Sequence, residues 1–130
     1  MNTNPLKKIL MVEDDHDIQT VARFAMESLG GYIVETSDNG LDALDKARGF
    51  NPDLILLDVM MPEMDGPATL KAFRSDPVLA AFPVVFMTAR VQKHEVAEYK
   101  EMGAVDVIAK PFDPMALSTT IQQIWEQYHE

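Results

Sequence analysis

The sequence predicts a doubly wound α/β fold, and three observations predict it. Short apolar runs alternate with longer amphipathic stretches from end to end, as when helices cover both faces of a mostly parallel sheet. The apolar runs lack the in/out alternation of a half-solvated strand, so both their faces are expected to be buried. Each run also stops abruptly at a polar residue. Five strand–helix units fill the 130 residues, one domain's worth of chain, enough to bury roughly two-thirds of its extended surface.

Lys8-Ile9-Leu10-Met11-Val12 is the first strand and ends at Glu13-Asp14-Asp15. Ile18, Val21, Ala22, Ala25, Met26 and Leu29 then form one stripe of a helix that Gly30-Gly31 can end in the left-handed conformation. Tyr32 to Thr36 reads as the second strand, with Ser37-Asp38-Asn39-Gly40 as turn and cap. Leu41, Leu44 and Ala47 mark the second helix, closed by Gly49 and Pro52. Leu54-Ile55-Leu56-Leu57 is the third strand, ending at Asp58. Met60 to Gly66 has loop chemistry, and Pro67 suits the first turn of a helix burying Leu70 and Phe73 until Asp76-Pro77 stops it.

Pro83 to Met87 forms the fourth strand, ending at Thr88, followed by a helix over Val91 to Met102 that Gly103 closes. Val105 to Ala109 is the fifth strand and ends at Lys110-Pro111. Leu117, Ile121, Ile124, Trp125 and Tyr128 recur along the last helix. No repeat, linker or low-complexity segment interrupts the pattern.

Composition narrows the function. Eleven Lys and Arg against 21 Asp and Glu give a net charge of −10, which phosphate backbones and anionic lipid repel. Neither nucleic acid nor membrane is an expected partner. The chain has no cysteine, so disulfides, thiolate metal clusters and a cysteine nucleophile are excluded. The polar start, Met1 to Lys8, and a first apolar run broken by Glu13 form neither a signal segment nor a membrane span. A soluble, cytoplasmic protein is expected.

In an open parallel sheet, ligands bind beyond the carboxyl ends of the strands, near the reversal of strand order. The strand-ending residues are Glu13 and Asp14, Asp58, Thr88 and Lys110. Taken singly, each has a bland role: acids capping a helix, a turn aspartate, a helix-capping threonine, a solvated lysine. For Asp15 and Asp17 the capping role is the expected one. Jointly the others form a site. Three carboxylates within about 5 Å repel by roughly 3 kcal/mol per pair at an effective dielectric near 20, so a cation is implied. All-oxygen ligands select Mg²⁺, Mn²⁺ or Ca²⁺, and Mg²⁺ best suits carboxylates shared with a phosphoryl oxygen. Asp58, on the central strand, is the candidate nucleophile for an acyl phosphate, with Lys110 and Thr88 facing the phosphoryl oxygens. His16, His94 and His129 are read as exposed helical residues, and no GxGxxG follows the first strand.

Four segments, in this order, resemble the receiver domains of two-component response regulators: Ile9 to Asp15, Leu54 to Gly66, Val85 to Ala89, and Gly103 to Asp106 leading to Lys110-Pro111-Phe112. The resemblance implies a flavodoxin-like sheet of order 2-1-3-4-5 with five helices, and a single receiver domain over residues 1–130. It implies that Asp58 accepts a phosphoryl group from a histidine kinase or phosphotransfer protein. Asp14 and Asp58 would ligate Mg²⁺ directly, Glu13 through water and Met60 by its carbonyl, while Thr88 and Lys110 bind the phosphoryl oxygens. It further implies a Lys110–Pro111 bond that is often cis, and weak self-catalysed transfer and hydrolysis instead of enzymatic turnover.

Val107 stands where receivers commonly carry Tyr or Phe, so output through helix 4 and its loop is expected instead of an aromatic switch. A downstream protein would read the face of helix 4, strand 5 and helix 5. No Lys or Arg follows Lys110, which points to a monomer or transient dimer. Met60 and Arg90 flank the path of attacking water, so a fairly stable phosphoryl group is expected. The chain reads as a stand-alone receiver. The alternatives are a receiver excised from a longer regulator, a Mg²⁺-dependent phosphatase with an aspartyl nucleophile, and an unphosphorylated binding module.

Overall fold

The computed structural model describes residues 5–129; Met1 to Asn4 of the polar start, and Glu130, lie outside the described residues. Strands β1 (Lys8–Val12), β2 (Ile33–Ser37), β3 (Leu54–Asp58), β4 (Val84–Thr88) and β5 (Asp106–Ala109) alternate with helices α1 (His16–Gly30), α2 (Gly40–Phe50), α3 (Gly66–Ser75), α4 (Lys93–Glu101) and α5 (Pro114–Tyr128). The strands form one sheet of order β2-β1-β3-β4-β5, with every pairing parallel.

The apolar runs do not alternate because both faces of the sheet are covered. Ile9, Met11, Leu54, Leu56, Val85 and Met87 pack toward α1 and α5, against Ala22, Met26, Leu117, Ile121 and Trp125. Leu10, Val12, Ile55, Leu57, Val84 and Phe86 pack on the other face against Ala43, Ala47, Leu70, Phe73 and Tyr99 of α2, α3 and α4. Each such fully buried side chain contributes about 1.5–3 kcal/mol of transfer free energy. The helix starts follow side-chain capping: Asp15, Asn39, Asp65 and Asp113 each accept backbone N–H groups of the next turn. Gly31 ends α1 in the left-handed region at φ 72°.

Several boundaries and burial expectations differ from the sequence pattern. Tyr32 precedes β2, and its hydroxyl donates to Gln122 Oε1 at 2.9 Å, tying this corner to α5. Pro83 and Val105 precede their strands, and the fourth helix begins at Lys93 and not at Val91. Val21, Leu29, Leu41 and Tyr128 are 47%, 53%, 70% and 47% exposed. A helix lying on a sheet touches it along a narrower arc than its apolar stripe, so residues at the stripe's edges stay in water. The polar Gln19 takes a buried place on α1 instead. Helix α4 is the least anchored, with Tyr99 its one buried residue.

The β3–α3 connection sets the position of the strand end that matters most. Asp65 caps α3 by accepting the Ala68 N–H at 2.9 Å, and the Gly66 N–H donates to the Val59 carbonyl at 2.9 Å. A Cβ on Gly66 would lie 2.7 Å from the carbonyl oxygen of Asp58 and 2.7 Å from Val59 Cα, both backbone atoms that cannot swing away. Gly66→Ala is therefore expected to destabilise the fold by about 1–3 kcal/mol, seen in urea unfolding as a lower midpoint at unchanged slope.

Candidate functional site

Backbone hydrogen bonds continue the ladder past the strand ends and hold the polar residues level. Glu13 N–H donates to the Ser37 carbonyl at 2.9 Å, Val59 N–H to Met87 at 3.1 Å and Lys110 N–H to Thr88 at 2.9 Å. Glu13, Asp14, Asp58, Met60, Thr88 and Lys110 consequently line one open cleft of about 290 Å³. All six residues singled out from sequence are brought together.

Asp58 is 3% exposed, Glu13 1% and Thr88 2%, while Asp14 faces solvent. Lys110 Nζ donates to Glu13 Oε1 at 2.8 Å and to Asp58 Oδ1 at 3.3 Å. The Met60 N–H also donates to Asp58 Oδ1, at 3.3 Å. No described donor reaches Oδ2. Glu13, by contrast, has both oxygens engaged, since Oε2 accepts the Asp15 N–H at 3.1 Å. Thr88 Oγ1 accepts the Arg90 N–H at 3.0 Å, which leaves the hydroxyl proton free to be donated. The Lys110–Pro111 peptide bond is cis.

Burial pushes the Glu13 carboxyl up to about 7, against the pull of Lys110 and the Asp15 N–H, and the Asp58 charge adds to the rise. Burial also disfavours the Lys110 ammonium, but the hydrogen bond and charge of Glu13, with those of Asp58, outweigh it and hold the lysine above its ordinary value. One carboxylate oxygen each from Glu13, Asp14 and Asp58 lie within 4.8 Å of one another. Three hard oxygen donors so close, with Lys110 the one cationic side chain lining the cleft among the described residues, fit a divalent ion of the Mg²⁺ type.

Support for this cleft includes residues that the pattern did not reveal. Gln19 Nε2 donates to the Glu13 carbonyl and, at 2.7 Å, to Asp38 Oδ1. The Gln19 hydrogen bond, then that from His16, hold the Asp38 carboxyl below its usual range. His16 is exposed, as expected, and lies 3.2 Å from Asp38 Oδ1. His129 is only half exposed, because its ring centroid sits 4.1 Å from that of Trp125. A glutamine inside an apolar helical stripe was the available signal for Gln19. Nothing local marked Asp38 as its partner, since that contact joins helix α1 to the β2–α2 connection.

Residues 9–122 match the family model for the response regulator receiver domain. The chain belongs to that family. It is a receiver domain of the two-component response regulators, a signalling domain whose relatives interact with histidine kinases and downstream effectors, and a phosphoacceptor role is consistent with it. It is 37% identical over 118 residues to the alkaline phosphatase synthesis transcriptional regulatory protein PhoP of Bacillus subtilis, a match covering 91% of this chain and 48% of that protein. The receiver thus spans about half the length of that curated relative. The Vibrio cholerae chemotaxis protein CheY4 superposes with a TM-score of 0.83 at 32% identity, over 92% of this chain and 99% of that one. The signal receiver domain of a histidine kinase from Syntrophus aciditrophicus gives 0.78 at 32% identity, over 93% and 91%. Among the described residues no helix is long and apolar enough to cross a membrane.

The raised Glu13 carboxyl makes stability depend on pH. A carboxyl whose folded value exceeds its unfolded one contributes stability that is complete below the unfolded value and is lost as pH rises through the folded one. In metal-free buffer the Glu13 contribution should therefore disappear between about pH 4.5 and 7, an effect on the order of 1–3 kcal/mol. Denaturation of wild type and Glu13→Gln across that range measures it as the difference between their slopes. Parallel curves would exclude it.

Proposed function

We propose that this receiver is a phosphoacceptor: Asp58 takes a phosphoryl group from a histidine kinase or phosphotransfer protein in a Mg²⁺-dependent reaction, and the phosphorylated state changes affinity for a downstream protein. One observation carries the reading. Asp58 is a buried carboxylate with one oxygen held by Lys110 and the Met60 N–H while no donor among the described residues reaches the other, inside a cleft that Glu13, Asp14 and Asp15 also line. The unengaged oxygen attacks phosphorus, and the bond from phosphorus to the donor breaks as the acyl phosphate forms.

Lys110 neutralises a phosphoryl oxygen, and its shared hold on Glu13 and Asp58 keeps the ammonium in place beforehand. Thr88 donates its hydroxyl proton to another phosphoryl oxygen. Asp14 and Asp58 would hold the metal directly, and Met60 would contribute its carbonyl. Glu13, both of whose oxygens already accept hydrogen bonds, suits a role through water. When bound, Mg²⁺ supplies charge neutralisation at the transferring group.

The protein performs only weak self-catalysed transfer and hydrolysis. A phosphatase needs an acid to protonate the leaving group, and Met60, two residues past Asp58, has none to give. A downstream protein binds the face formed by α4, β5 and α5. Residues 1–130 act as one cytoplasmic receiver domain, monomeric or transiently dimeric, without nucleic-acid or membrane contact.

Incubation with Mg²⁺ and acetyl phosphate should add one phosphoryl group by intact mass. Asp58→Asn or a chelator should abolish it, and Lys110→Ala should slow it by about a hundredfold or more. Label surviving in Asp58→Asn would move the chemistry elsewhere. The phosphorylated protein, freed of donor, should keep its phosphoryl group for long enough to be isolated, because neither Met60 nor Arg90 can act as a base toward water. Complete loss of label during rapid desalting would contradict that.

A further inference from the structure

Arg90 lies beside the cleft but is turned away from it. Its backbone N–H is held by Thr88 Oγ1 at 3.0 Å, so its Cα sits next to the hydroxyl assigned to a phosphoryl oxygen. Its guanidinium instead reaches along the β4–α4 loop to Glu95, with Nη1 3.9 Å from Oε2. The other oxygen of that carboxylate, Oε1, accepts the Gln92 N–H at 3.1 Å and so holds the first turn of α4. One carboxylate thus serves both a guanidinium and a helix start.

Two physical points make this pairing exchangeable. An ion pair at 3.9 Å whose arginine side chain is 69% exposed is a weak one. The competing site, once phosphorylated, is the stronger anion. A phosphoryl group carries close to two negative charges at neutral pH, and Asp14, Asp15 and Glu13 line the same cleft. Against them stand a divalent ion and Lys110, the only Lys or Arg that lines the cleft among the described residues. The acidic excess favours a further cation, and a planar guanidinium matches phosphoryl oxygens well.

We propose that Arg90 is a phosphoryl-binding residue held in reserve on Glu95, and that its transfer to the phosphoryl group frees the start of α4. This rests on Asp58 being the phosphoacceptor. Helix α4, with Tyr99 as its one buried residue, has little packing to resist the change. Glu95 and the phosphoryl group then compete for one guanidinium, so removing Arg90 and removing Glu95 must shift phosphoryl affinity in opposite directions.

The test is calorimetric titration of beryllofluoride with Mg²⁺, a phosphoryl mimic, into wild type, Arg90→Ala and Glu95→Gln, with Asp58→Asn as control. Arg90→Ala should weaken binding about two- to fivefold and Glu95→Gln should tighten it by a similar factor. Hydrogen exchange of the segment 91–97 should quicken in wild type on saturation and be unchanged in Arg90→Ala. Equal affinity in wild type and Arg90→Ala, or no tightening in Glu95→Gln, overturns the exchange of partners while leaving the acceptor role intact. Absence of any Asp58-dependent binding in wild type overturns the acceptor role itself, and this proposal with it.

Discussion

An ammonium placed between two buried carboxylates holds the cleft together. Glu13 and Asp58 come from strands whose apolar stems are fully buried on both faces, so their charged ends cannot retreat into water without moving the sheet. Lys110 offsets part of their repulsion, with contacts at 2.8 and 3.3 Å. Taking away one partner of such a buried arrangement costs about 3–5 kcal/mol, because the remaining charge is left uncompensated. The same constraint leaves the cleft short of positive charge, since one lysine faces four acids among the described residues. An excess of negative charge that the fold cannot relieve is what would give a divalent cation its place.

Strand order decides which side chain can do this. With β3 central, Asp58 has β1 on one side and β4 on the other, so Glu13 and Asp14 arrive from one neighbour and Thr88 from the next. Strand β5 is two strands from β3, roughly 10 Å away. Only a long side chain spans that gap, and it must pass over the end of β4, where Thr88 is small enough to let it through. Lysine at the end of β5 and threonine at the end of β4 are thus complementary choices.

Much of this was legible because each strand announces its own end: an unbroken apolar run stopped by Glu13, Asp58, Thr88 or Lys110 needs no tertiary information to be noticed. Sheet order was not local and came from the family resemblance. What the pattern missed depends on contacts between segments separated in sequence. Gln19 reaches Asp38 across 19 positions, and Gly66 is needed because the end of β3 lies 2.7 Å from where its Cβ would be. Leu41 and Leu29 failed in the opposite sense, since helical spacing names a stripe but not how wide an arc the sheet covers. Arg74 was invisible for the first reason: its guanidinium donates to the carbonyls of Ala80, Phe82 and Gly103, a clamp that sequence spacing does not encode.

The valine at position 107 becomes intelligible from the neighbouring helix. Val107 pairs with Phe86 across β4 and β5 and packs into the face shared with α4. There the Phe86 ring meets Tyr99 edge-on, with centroids 5.2 Å apart and planes at 81°. The ring that packs on Phe86 beside β5 is thus supplied by α4. An aromatic on β5 can turn while its backbone stays paired in the sheet. Tyr99 is instead carried by a helix with no other buried residue. The ring packed on Phe86 and the Glu95 carboxylate that accepts the Gln92 N–H at the helix start thus belong to one element, α4.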